Sequence, residues 1–495
     1  MRVSTRHLRL GVFVLLLSIS TGISFAFPTG KALEKQSRDQ PAPPRVAPVK
    51  PVINDYFGTK VVDPYRYMEN LKDPGVQAWM KAQNEYMRAV LAEIPGCQKL
   101  LSQIRQFDQS VPRVRVTRLP GDLYLVLKRL PSDNVSRLYL RQGVDGQDKL
   151  LVDPEKVTLS PADRGKGKNV ILYFAPSQDD KYVAVGIAPG GSETDTEIHV
   201  IETASGRETG DVILRAWGGE PSWLPGNTSF VYRRLQTLSP GAPMTEVEQK
   251  FRAYLHVLGR DPAKDPAIFG YGVTPTIPVA ATDFASAGTP PNSKYAVGTV
   301  NTGVAPNSAF YIEPVSDVGK TNSAWRKVAD FSDDVKDIAI HDDDLYLLTY
   351  KNASRYKVIR TDGRHPDLAT AEVVVPPSQS VVTGISAAED ALYVELMDGG
   401  INRLLRVPYG AKPKVEEVDL PFRGTLGVDT DPRLPGALLG MTSWTKAYRI
   451  YTYDPKTNRV TNTDLQPAGP YDNPSNIESV EVKVRSHDDT LVPLR

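Results

Sequence analysis

A chain that cleaves or transfers acyl groups through a serine needs a base to take the hydroxyl proton and an acid to orient that base. In the strand-to-helix form it also needs a Gly-x-Ser-x-Gly turn, where small residues relieve crowding around the nucleophile. The nearest run in this 495-residue sequence is Gly190-Gly191-Ser192-Glu193-Thr194, which lacks the second glycine and falls between strand-like stretches. It reads as a loop. Of six histidines, His199 and His256 sit in strand patterns, His341 precedes the Asp342-Asp343-Asp344 turn and His365 follows Thr361-Asp362-Gly363. His487 lies beside a terminal turn and His7 in the first 26 residues. Cys97 is the only cysteine, so no internal disulfide is available, and it reads as a helix-packing residue. The acidic clusters at Asp179, Asp333 and Asp342 fall where hairpins turn. Asp429-Thr430-Asp431 comes nearest to the alternate-oxygen spacing of a calcium loop, but Pro432 follows it. No catalytic, cofactor-binding or metal-binding residue is nominated, and no cofactor is implied.

The elements around these residues explain why most of them read as turns. Residues 171–210 alternate apolar and polar positions in three short runs, broken at Asp179-Asp180 and Gly190-Gly191, the plan of a β-meander. Similar second-strand runs begin at Asp122, Lys181, Ser229, Lys294, Asp344, Ala391 and Ala437, roughly 45 to 65 residues apart. A meander alone leaves one apolar face uncovered. Seven at this period predict a mainly β fold, a seven-bladed β-propeller over residues 111–475. A β-sandwich pair is the alternative, but it has no reason to keep one period over that length.

Arg2, Arg6 and Arg9 precede an apolar run from Leu10 to Ile19 and a small-residue end at Ala26, the pattern of a secretory signal over residues 1–26. The run of roughly 10 apolar residues is short of the ~20 that span a bilayer. The expectation is an exported, periplasmic or extracellular protein with no membrane association after cleavage. A net charge of +1 with mixed signs gives no basic footprint for nucleic acid. Residues 27–51, rich in Pro, Gln, Lys and Arg, suit a flexible leader.

Residues 52–110 read as a turn-rich lead-in and a helical segment. Asp73 is placed to cap a helix with Pro74 at its first position. Val76, Trp79, Met80, Met87, Val90, Leu91 and Ile94 fall largely on one face. After Pro95-Gly96 a second helix carries Leu100, Leu101, Ile104 and Phe107. Within this segment, Asp55-Tyr56-Phe57-Gly58, Asp63-Pro64-Tyr65-Arg66-Tyr67-Met68-Glu69 and Lys81-Ala82-Gln83-Asn84 resemble the prolyl oligopeptidase family of serine peptidases, although Lys81 replaces an acidic residue. The likeness continues through residues 177–206, 221–234 and 251–270, and from about residue 276 it persists only in the period. It implies cleavage of short peptides after proline, with a propeller acting as a size filter over an α/β-hydrolase domain that holds a Ser, Asp and His triad. It also implies that the helical segment packs on the hydrolase domain.

The last stretch, residues 476–495, alternates at Val480, Val482 and Val484, turns at Asp488-Asp489-Thr490 and begins a second strand at Leu491. In the family a similar hairpin opens the hydrolase domain, so the expectation is a chain truncated there and inactive alone. Its helix face would be uncovered, and its partners would be a separate catalytic chain and, once the missing domain is supplied, short peptides. A free-standing propeller that binds peptides or a protein without cleaving them is the alternative.

Overall fold

The computed structural model describes residues 43–160, 167–321 and 323–494. The export segment and the leader up to residue 42 lie outside the described residues. The chain divides into two compact units, one ending at Gln106 and one beginning at Phe107.

The first unit opens with a β-hairpin, Val52–Tyr56 paired with Thr59–Asp63, where a turn-rich lead-in is expected. Its two-residue turn is Phe57-Gly58, with φ of 55° and 85°, the doubly positive conformation that suits the twist of a tight hairpin. The Asp55 carboxylate accepts from Gly58 N–H at 2.7 Å and holds it. Helix α1 (Pro74–Glu93) starts as the sequence predicts: Asp73 accepts from Gly75 and Val76 N–H, and Pro74 sits in the first turn. Ile94-Pro95-Gly96, with φ of 88° at Gly96, breaks it from α2 (Cys97–Asp108). Val76 is buried, whereas Met80, Met87, Leu91, Leu100 and Ile104 are exposed. Trp79 is half-buried, its indole N–H donating to the Arg45 carbonyl at 3.1 Å.

The second unit is a ring of seven four-stranded antiparallel sheets, each made from four consecutive strands. These blades 1 to 7 occupy residues 113–152, 169–213, 222–270, 284–329, 335–375, 381–417 and 425–462. Every one of the seven runs picked out by alternation is the second strand of its blade. The reason is position: a second strand is laddered on both edges and covered on both faces by neighbouring blades. Tyr182–Pro189, for example, is buried at all but its first residue. Seven apolar clusters form, one in each seam between adjacent blades.

Among the described residues no strand is exchanged between the last blade and the first. That seam closes on Tyr124, Val126, Leu438, Ile450 and Leu465, with Arg118 donating to the Pro435 carbonyl at 2.7 Å and Gln466 to that of Pro112 at 2.8 Å. The loop of residues 430–436 adds a strap. Arg433, paired with Asp431, reaches Asp180 in blade 2 at 3.1 Å and the Gln178 carbonyl. Strands Val482–Arg485 and Leu491–Leu494 pair as an exposed hairpin, the first starting two residues later than the alternation from Val480 suggests.

Candidate functional site

The first strands of the blades and the segments just before them carry charges that meet partners from non-adjacent blades, which places them across a central lumen. Arg115, on blade 1, lies 3.9 Å from Glu220, which precedes blade 3. Asp429, on the first strand of blade 7, is pushed up to about 6 by burial; Asp431 and Glu220 add to the effect, and Arg118 and Arg115 oppose it. Burial raises Glu220 as well, against Arg115. Both carboxylates touch water yet are enclosed by protein on their other sides, as on the wall of a narrow channel. Further round, burial raises Asp337 and Glu395, with Lys336 opposing. Lys336 is the extra residue of a β-bulge, and its ammonium donates to the Thr383 carbonyl at 2.9 Å. Bulges re-aim side chains, and the first strands of blades 2 and 6 carry one too.

Three cavities border this space. One of about 430 Å³ is lined by Glu220, Arg233, Ser286 and Thr299. Another of about 530 Å³ is lined by Arg115, Glu220, Asp429 and Tyr448. A third of about 610 Å³ is lined by Tyr173, Glu193, Thr196 and Glu220. Glu220 is common to all three. The lumen alternates signs around hydroxyls and backbone, so it can hold short polar chains through charge and hydrogen bonds.

The residues weighed from sequence lie elsewhere and apart. Buried His199 sits between Glu197 (3.2 Å) and Glu208 (3.3 Å). His256, fully buried, bridges Asp265 (3.0 Å) and Asp211 (3.1 Å), tying blade 3 to blade 2. Burial opposes a charged imidazolium there, but hydrogen bonds and charge from Asp265 and Asp211 together raise its pKa. His341 stacks on Tyr409 with ring centres 3.4 Å apart, and His365 is exposed after the Asp362–Arg364 turn. His487 lies 3.3 Å from Ser486 Oγ in the terminal turn. Ser192 Oγ donates to Asp195 at 2.8 Å and heads a single helical turn. Cys97 is the first residue of α2 and half-buried.

The acidic clusters are local as well. Asp179 accepts from Ser177 Oγ at 2.8 Å, Asp333 completes a capping box with Asp330, and Asp342 turns a hairpin with φ of 52°. Among the described residues no three His, Cys, Asp or Glu side chains are grouped to hold a metal ion, and no helix is long and apolar enough to cross a membrane. The lumen residues Arg115, Tyr173, Glu220 and Asp429 escape a reading of the sequence because they lie in four different stretches, none with a motif.

Ring and lumen together define a seven-bladed β-propeller with a polar, charged channel. The family model described as prolyl oligopeptidase, N-terminal beta-propeller domain, matches residues 44–465, and the chain belongs to that family. It is 22% identical over 444 residues to a prolyl endopeptidase of Elizabethkingia meningoseptica, covering 89% of this chain and 59% of that protein. A solved prolyl endopeptidase superposes with a TM-score of 0.75 at 25% identity, covering 91% of this chain and 63% of that one. Prolyl oligopeptidase B of Galerina marginata, bound to a 25mer macrocyclization substrate, shares the fold with a TM-score of 0.75 at 17% identity and coverage of 91% and 64%. The chain thus spans about three fifths of the length of the relatives it matches.

Proposed function

We propose that this chain is the propeller part of an exported prolyl-oligopeptidase-like serine endopeptidase, and that its lumen admits short peptides while the ring excludes folded protein. The observation that carries this is the family match across the whole ring, residues 44–465. The charged, hydroxyl-bearing lumen supports it. Cleavage after proline is then the work of an α/β-hydrolase domain, on the same polypeptide or supplied by another chain, and residues 1–495 by themselves do not hydrolyse peptides. The test compares a chromogenic Gly-Pro amide with the purified chain and with the native assembly that contains it. The assembly should cleave the amide and a short proline peptide, leave the same peptide intact when it is embedded in a folded protein, and owe nothing to the isolated chain. Equal cleavage of the free and embedded peptide would overturn the size filter.

A further inference from the structure

Tyr173 stands out in the wall of the third cavity. It is 7% exposed, and its hydroxyl has no hydrogen-bond partner. Buried hydroxyls are almost always paired, and one that is not calls for a reason. Its position is built, not incidental. Tyr173 pairs across the ladder with Gly186, and a Cβ at Gly186 would sit 2.3 Å from the Tyr173 ring. Only glycine lets the ring lie flat over the second strand, and a glycine in a central strand weakens it. The bulge at Ile171/Tyr173 sets the ring's register.

The surroundings fix the chemistry of what would satisfy that hydroxyl. The cavity of about 610 Å³ is lined by Leu172, Tyr173, Glu193, Thr196, Gly218, Gly219 and Glu220: two carboxylates and no basic side chain. Thr196 Oγ1 already donates to the Glu193 carbonyl at 2.8 Å, leaving the phenol as the free hydroxyl. The flanking cations have partners of their own, although Arg233 is close enough for its charge to act on the Tyr173 hydroxyl. Arg233 donates to the Gly218 carbonyl and lies over Trp217, while Arg115, over Phe174, stands 3.9 Å from Glu220 in a half-exposed pair. A pair that long and wet is weak, so the Glu220 carboxylate can take a closer cation.

We propose that the Tyr173–Glu220–Glu193 cavity is a subsite for a primary ammonium group of a short peptide, from its N-terminus or a lysine side chain. The ammonium donates to the Glu220 carboxylate and the Tyr173 oxygen, and Glu193 supplies long-range attraction at the mouth. The subsite rests on the reading of the lumen as a peptide channel, but it is tested by binding alone.

The full chain is titrated calorimetrically with Ala-Ala-Gly amide, with its N-acetylated form and with N-acetyl-Ala-Lys-Gly amide. The free-amine peptide should bind at least about tenfold more tightly than its acetylated form, as for a charge-assisted hydrogen bond. Recovery of binding by the lysine peptide would assign the ammonium to side chains, and failure to recover it to the N-terminus. Tyr173→Phe and Glu220→Gln should each weaken the preferred peptide about five- to tenfold. Tyr173→Phe should leave Tm unchanged or raised, since it removes an unpaired hydroxyl. Equal binding of the amine and acetyl peptides, no binding of either, or wild-type affinity in Tyr173→Phe would overturn the subsite. Those results would leave the size-filter reading standing, because that reading is judged by cleavage of free against embedded peptides.

Discussion

The seam between blades 3 and 4 and the seam between blades 7 and 1 meet the same packing problem with different means. At the first, fifteen buried side chains interlock. Phe269 packs edge-on against Trp325 with ring centres 4.8 Å apart, over a glycine at 298 where a Cβ would come within 2.5 Å of the ring. Trp217, Phe251 and Phe284 stack beside them. At the second, five buried side chains carry the apolar contact, and arginine and glutamine side chains reach backbone carbonyls around them. The connection differs too. Successive blades are joined by a short loop, whereas Arg118 and Pro435 are 317 residues apart in sequence, and Gln466 and Pro112 are 354 apart. Closing the ring therefore works against a much larger loop entropy with less apolar area to offset it. The seam between blades 7 and 1 is the place where the ring opens at least cost.

The largest expected effect comes from the well-packed side. Phe269→Ala should lower the free energy of unfolding by about 3–5 kcal/mol in urea titration, as for a fully buried aromatic that leaves a cavity. A loss under about 1 kcal/mol would mean that the seams do not differ as described. Next is Arg433→Ala, which strips the strap and leaves Asp180 and Asp431, both largely buried, without their counter-charge. A cost of about 3 kcal/mol is expected, read as faster amide exchange in blades 1, 2 and 7 with blades 3 and 4 unchanged. Leu438→Ala should cost about 2–3 kcal/mol. If the comparison holds, that loss appears as local opening between blades 7 and 1, and uniform acceleration of exchange round the ring would count against it.

The two smallest effects depend on pH. His256 clamps blade 3 to blade 2, and its pKa is raised in the folded chain. Its stabilisation is therefore complete below the unfolded value of about 6.5 and is lost as pH rises through the folded value. His256→Gln should flatten that alkaline decline in urea midpoints; an unchanged slope would remove the clamp from the account. Asp429 behaves in the opposite sense to a paired carboxylate. With its pKa raised to about 6, the folded chain holds the proton longer than the unfolded one, so stability falls between the ordinary carboxylate range and pH 6. Asp429→Asn should stabilise slightly at pH 7 and leave pH 3.5 unaffected.

The sequence makes the buried strands legible because burial on both faces forces apolar and aromatic residues into them, as in Tyr182–Pro189 and Ala391–Asp398. First and last strands hide for the opposite reason. Ser222–Trp223 and Glu416–Glu417 are two residues long, and Arg113–Leu119 carries three arginines, two of them exposed. The N-terminal hairpin is mostly exposed on both strands, so no alternation marks it, and only Phe57-Gly58 hints at a turn. The Asp73 cap is readable because capping is local. The lumen is not: Arg115 meets Glu220, and Glu220 acts on Asp429, only because the ring brings blades 1, 3 and 7 to one axis. His256 likewise finds Asp211 45 residues away.

The most direct test of the reading as a peptidase propeller is Gly-Pro amide hydrolysis by native material captured with an antibody to blade 6, measured beside the purified chain at equal concentration. The account predicts turnover in the captured material, abolished by a serine-reactive inhibitor, and none from the purified chain. Turnover that scales with the purified chain across independent preparations, or an inert captured assembly, would contradict it.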